Sequence, residues 1–292
     1  MNARRVVPWA CCSLLLLPGC GADTPAASQD GHARMVALLA DFARQTVVDN
    51  TFFGTRTLER DRAELAKLGR AAPWRLHLDV GTGELRLGRE REGITVLAAA
   101  RQAMQAGTLA GDTDAAVAIS FHLGVGWMRL AETENCCASP THETCILPIQ
   151  GTGVHQKKEG ATNAAHCFTE VLQNTAPGSY WHLTAQWLLN VAHMTLGTFP
   201  DGVPERYRLP AKSFAPERDF PRFVDVAPAV GLDTFGLAGG ACVDDFDGDE
   251  YLDVVASDWS PTGQMHFFHN QRDGTFADRT QAAGLVGITG GL

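Results

Sequence analysis

The stretch Asp245-Phe246-Asp247-Gly248-Asp249-Glu250-Tyr251-Leu252-Asp253 decides how this chain is read. Its four aspartates fall at positions 1, 3, 5 and 9 of a nine-residue loop. Alternate residues of a tight loop can turn their oxygens inward, and a hard cation such as Ca²⁺ takes about six to eight of them. Tyr251, at position 7, offers its backbone carbonyl. A helix–loop–helix calcium loop starts with the same spacing but needs a bidentate Glu at position 12. Ala256 occupies that position, and residues 252–256 are short and apolar, which predicts a strand. The expected unit is therefore strand–loop–strand, with Asp245, Asp247, Asp249, Tyr251 and Asp253 as ligands and Ca²⁺ as cofactor. The plain alternative is an acidic surface turn.

Strands continue on both sides of this loop. Residues 236–244 alternate small and apolar side chains, residues 265–269 include Phe267-Phe268, and Asp273-Gly274 makes a tight turn before residues 275–278. Four short strands at this spacing amount to one blade of a β-propeller. A repeat then appears. Phe223, Asp225, Ala229, Gly231 and Leu232 return as Phe276, Asp278, Ala282, Gly284 and Leu285, all at an offset of 53 residues. Gly239-Gly240 returns as Gly290-Gly291, shortly before Leu292. Because blades bury their faces against neighbours, the chain reads as the front portion of a longer, truncated propeller protein.

Upstream, residues 32–197 carry a helical period. Apolar residues at Val36, Leu39, Ala40, Ala43 and Val47 predict one amphipathic helix, and residues 58–68 a second. Three pairs of positions then recur at a spacing of seven: Val80-Gly81 with Leu87-Gly88, Leu123-Gly124 with Leu130-Ala131, and Leu189-Asn190 with Leu196-Gly197. Small or polar first members suit close helix approach, and Gly suits a helix end. This resembles the tetratricopeptide repeat. Gly93, Leu97 and Ala100 match the small, large and small positions of its second helix, as do Ala164, Phe168 and Val171, with Pro177 closing the unit. The fold class expected is α+β multidomain: an N-terminal α-solenoid over residues 32–198, a Pro-rich linker at 199–222, and one blade with the start of the next at 223–292. The longer interval between the second and third units marks an insertion at residues 132–159, and inserted loops on solenoids often form the binding face.

The N-terminus is read as an export signal. Arg4-Arg5 precedes an apolar run at residues 6–17, too short to span a bilayer, and then Leu17-Pro18-Gly19-Cys20-Gly21. That ending resembles a bacterial lipobox: Leu17, Gly19 and Cys20 match, and Pro18 stands where a small residue is usual. The resemblance implies lipidation at Cys20, a signal at residues 1–20, a small polar tether at 21–31, and membrane attachment of a periplasmic, outer-membrane or cell-surface lipoprotein. Export sets the reading of the cysteines, since an oxidising compartment favours disulfides. Cys136 or Cys137 with Cys145 is the expected bridge. A metal site that adds His142, His155 or His166 is the alternative.

The formal charge of −9, with no basic cluster longer than Lys157-Lys158 after the N-terminus, argues against a nucleic-acid partner, whose binding runs through Lys and Arg contacts to phosphate. At 292 residues and 45% apolar content the chain has room for two globular domains. Asp245, Asp247, Gly248, Asp249 and Asp253, followed by Leu252-Asp253-Val254-Val255, resemble the FG-GAP (VCBS-type, integrin-alpha-like) repeat, whose blades carry a DxDGDxxxD calcium loop. That family usually has Gly where this chain has Glu250. Phe223-Val224-Asp225-Val226-Ala227, Asp258-Trp259-Ser260-Pro261 and Asp273-Gly274-Thr275-Phe276 further resemble bacterial relatives of cartilage acidic protein, which end in an ASPIC/UnbV domain. Many of these begin with helices that contain an NC…ESCI.PI.G.G.H segment, which is similar to Asn135-Cys136, 143–149, Gly151, Gly153 and His155 here.

Two functions follow as expectations. One is an exported, non-enzymatic calcium-binding protein whose helical repeats hold a protein or peptide and whose blades present a second surface for protein or glycan. The sequence has no GxSxG, HExxH, nucleotide fingerprint or P-loop, and Ser139, Ser179 and Ser260 lack a motif partner. The other is a metal-dependent enzyme or enzyme subunit with its site in the Cys136–His166 insertion.

Overall fold

A computed structural model describes residues 26–215, 217–218 and 223–291. The export signal and Cys20 lie outside the described residues. The fold is mixed α+β, with a helical N-terminal part and a four-stranded antiparallel sheet after it. Among the described residues no helix is long and apolar enough to cross a membrane.

The helices are α1 (Ala26–Asp49), α2 (Arg56–Leu68), α3 (Trp74–Arg86), α4 (Glu90–Gln105), α5 (Thr113–Glu134), α6 (Glu159–Gln173) and α7 (Tyr180–Thr195). Their starts follow local chemistry. Asp112 caps α5 by accepting from the Ala115 N–H at 2.9 Å, and Pro73 precedes α3, where a missing N–H costs nothing. α1 begins inside the stretch expected as a tether, where Ala26 and Ala27 are strong helix formers.

Close packing occurs where the repeated positions lie. A Cβ on Gly81 would stand 2.5 Å from Leu97 Cγ, and one on Gly124 2.7 Å from Phe168 Cε1. Leu97 and Phe168 are fully buried, so each large residue of one helix fills the space a glycine leaves on its neighbour. Asn190, the polar member of the third pair, behaves differently. It is fully buried, donates to the Tyr207 carbonyl at 2.9 Å and accepts from the Leu209 N–H at 3.0 Å. Its partners are a 3-10 turn at Tyr207 and the chain just after it, at Leu209, rather than another long helix. Val203 and Tyr207 are buried with it, and Phe214 packs on Trp187 and Phe199. The first half of the expected linker is therefore fastened to the helical core.

The sheet is a meander of β1 (Ala238–Asp244), β2 (Asp253–Asp258), β3 (His266–Asn270) and β4 (Phe276–Asp278), in that order, each strand antiparallel to the next. The sequence repeat has a structural echo. Asp225 accepts from the Ala227 N–H at 3.0 Å and Asp278 from the Thr280 N–H at 2.8 Å. A helical turn follows each, α8 (Ala227–Val230) in the first case. Gly231 (φ 81°) and Gly284 (φ 71°) then reverse the chain, and Leu232 and Leu285 each donate to the carbonyl five residues back. Helices and sheet also touch: the Trp259 ring lies 5.0 Å from Phe53, and Val36 and Ala43 of α1 line a cavity with Thr262 and Gly287.

Candidate functional site

The acidic loop joins β1 to β2, so strand pairing fixes both of its ends. Asp244 pairs with Asp253 across the ladder, which draws position 9 back beside position 1. As a result Asp245, Asp247 and Asp253 bring one carboxylate oxygen each to within 4.8 Å of one another. Asp247 and Asp249 form a second such group with His269. Asp253 is fully buried and accepts from the Asn270 N–H at 2.8 Å and the Phe246 N–H at 3.3 Å.

The loop's own backbone wraps the first carboxylate. Asp245 accepts from the N–H groups of Glu250, Gly248 and Asp249 at 2.9, 2.7 and 3.0 Å. The Glu250 bond, then those of Gly248 and Asp249, hold its carboxyl below the usual range. Glu250 sits at φ 72°, the left-handed region where glycine is at ease and a side chain is not. Tyr251 donates its N–H to Asp249 at 2.9 Å, and its exposed ring lies under the Arg272 guanidinium at 5.1 Å.

Two participants are absent from the loop's own wording. Arg272 binds Asp249 through two N–H groups at 2.7 and 3.0 Å, and this contact, then the Tyr251 N–H, lowers the Asp249 carboxyl. His269 Nδ1 stands 3.3 Å from both Asp247 and Asp253. Both come from the β3–β4 side of the sheet, more than a dozen residues away in sequence. No spacing rule could have found them; the β2–β3 register puts them there. The carboxylates suit a hard cation, and Arg272 sets a positive charge against Asp249.

The insertion holds a second cluster. Cys136, Cys137, Cys145, Cys167 and Cys242 all carry free thiols in this structure, so the expected bridge of Cys136 or Cys137 to Cys145 is not formed. Cys136 Sγ instead meets His155 Nε2 at 3.1 Å. His155 is only 2% exposed, and its backbone N–H donates to the Thr195 carbonyl at 2.9 Å, which ties the insertion to the end of α7. Its Nδ1 is buried without a hydrogen-bond partner among the described residues. Cys136, Cys145, His155 and Glu132 all line one cavity of about 340 Å³, walled by Val125, Leu147, Ile149, Trp187 and Leu188. Cys137 is exposed and points to no such grouping.

Burial pushes the Cys136 thiol up to about 11, with Cys145 and Glu132 adding to the rise, and burial lowers His155. Both shifts run against the thiolate–imidazolium form that a cysteine nucleophile uses. His142 and His166 are exposed, and neither joins His155 in a metal-sized group among the described residues. Comparison with protein families, with curated proteins and with solved structures finds no match for this chain.

Proposed function

We propose that this chain is an exported, non-enzymatic calcium-binding protein of the FG-GAP and ASPIC/UnbV kind, which holds a protein or peptide on tetratricopeptide-like helices. In this reading residues 32–198 are an α-solenoid, and residues 223–292 are propeller-blade sequence. One observation carries it: the carboxylates of Asp245, Asp247 and Asp253 converge within 4.8 Å on a strand-to-strand turn. The meander order of the sheet and the paired Asp–turn–Gly corners agree with repeated blades. For the helical surface, Tyr180, Leu183 and Trp187 of α7 expose a row of large apolar side chains at helical spacing, which suits an apolar peptide. Lipidation at Cys20 would hold the protein at a membrane.

The test is calcium titration by calorimetry on the full chain. Asp247→Ala and Asp249→Ala remove charge from the ion and are expected to abolish binding. Glu250→Gly is expected to keep or tighten it, because the left-handed turn then costs less. Parent-like binding by both alanine variants would leave only an acidic turn. The Cys136–His155 contact favours a second reading, a metal-dependent enzyme or enzyme subunit sited in the insertion.

A further inference from the structure

The Cys136–His155 pair belongs to neither the acidic loop nor the exposed face of α7. We infer that Cys136 Sγ and His155 Nε2 are the preset donors of a site for a thiophilic divalent ion of the zinc class, completed by Cys145 and Glu132 from the same cavity. The pair stands 3.1 Å apart. Zinc takes sulfur at about 2.3 Å and imidazole nitrogen at about 2.0–2.1 Å in a tetrahedral shell, so two such ligands lie about 3.5 Å apart. Opening the pair by a few tenths of an ångström admits the ion.

The imidazole is positioned before any ion arrives. Its ring is buried, and its backbone is hydrogen-bonded to Thr195 of α7. The large majority of buried side-chain nitrogens have a hydrogen-bond partner. Here Nδ1 is buried and unpartnered, while Nε2 faces sulfur. With Nε2 on the ion, Nδ1 carries the ring proton, and the ring also lines a second cavity beside Asn135 and Thr152. Cys145 and Glu132 line the same cavity and are exposed; among the described residues they form no metal-sized group with the pair, so binding has to draw them in. Each thiol that coordinates gives its proton to solvent. A sulfur–nitrogen set excludes Ca²⁺ and Mg²⁺, which take oxygen.

The experiment uses the full chain, reduced and stripped of metal, titrated with Zn²⁺ and with Co²⁺ as its coloured substitute. One equivalent is expected to bind, with a thiolate-to-cobalt charge-transfer band. Cys136→Ser should abolish that band, and His155→Gln should weaken Zn²⁺ binding at least tenfold. Because His155 is buried, each variant is checked for an unchanged helical circular-dichroism spectrum, and Cys136→Ser alone suffices if His155→Gln unfolds. Cys137→Ser and His142→Ala should bind as the parent does. Calcium titration of the same variants should be unaltered, which separates this site from the acidic loop. An intact cobalt band in folded Cys136→Ser overturns the inference. So does peptide mapping that finds Cys136 in a disulfide in the exported protein.

Discussion

The two parts of the molecule are held together by different forces. The helical part buries large side chains completely, among them Phe168, Leu97, Ile119, Leu123 and Leu189, in three contiguous clusters. In the described residues from 223 onward, only Phe268, Asp253 and Thr280 are buried, and two of these are polar. The sheet and its loops leave Val243, Phe246, Leu252 and Trp259 exposed. What fixes its turns is a lattice of carboxylates that accept backbone N–H bonds: Asp225, Asp245, Asp249, Asp253, Asp273 and Asp278. Apolar burial involves no titrating group and no site-bound ion. Carboxylate hydrogen bonds are sensitive to both. The helical part should therefore behave as a fixed scaffold, and the sheet as the part whose order depends on conditions.

The strongest challenge to this contrast is Phe168→Ala. Removing a fully buried ring that fills the space left by Gly124 should cost about 3–5 kcal/mol. Urea denaturation followed by helical ellipticity gives the loss. Hydrogen exchange should show it in α5 to α7, with the sheet amides little changed. Equal loosening of both would mean that the Phe53–Trp259 and Val36–Gly287 contacts make them one cooperative unit.

Asp253→Ala should act on the sheet alone and by less. It leaves the Asn270 and Phe246 N–H groups without their acceptor, at about 1–3 kcal/mol. Exchange should quicken in β2 and β3 while α3 to α7 keep their protection. Unchanged sheet amides would show that Asp253 is no keystone of the fold.

The smallest effect is on pH. Arg272 and the Tyr251 N–H hold Asp249 below the ordinary carboxylate range. A carboxyl depressed in the folded state stabilises above its unfolded pKa, near 3.8, and loses that contribution as pH falls through the lower folded value. Arg272→Ala should move the Asp249 titration upward in carboxyl-detected NMR and leave the helical part unaltered. A titration that stays in place would remove Arg272 from the account.

The sequence by itself determined the local elements. The period of apolar residues set the helices, and the Asp–Gly turns and short apolar runs set the four strands, because both follow from backbone geometry and the burial of one face. The approach of Leu97 to Gly81 could be read because small residues permit contact wherever they fall. Tertiary structure alone decided the partners. Asn190 was expected to meet a helix and instead binds the chain at Tyr207 and Leu209, since an amide satisfies whatever backbone reaches it. Cys136 or Cys137 was expected on Cys145, and Cys136 meets His155, while Arg272 and His269 reach the acidic loop only through strand register. Such contacts join residues far apart in the chain, and nothing in a local pattern encodes which distant polar group will close a hydrogen bond.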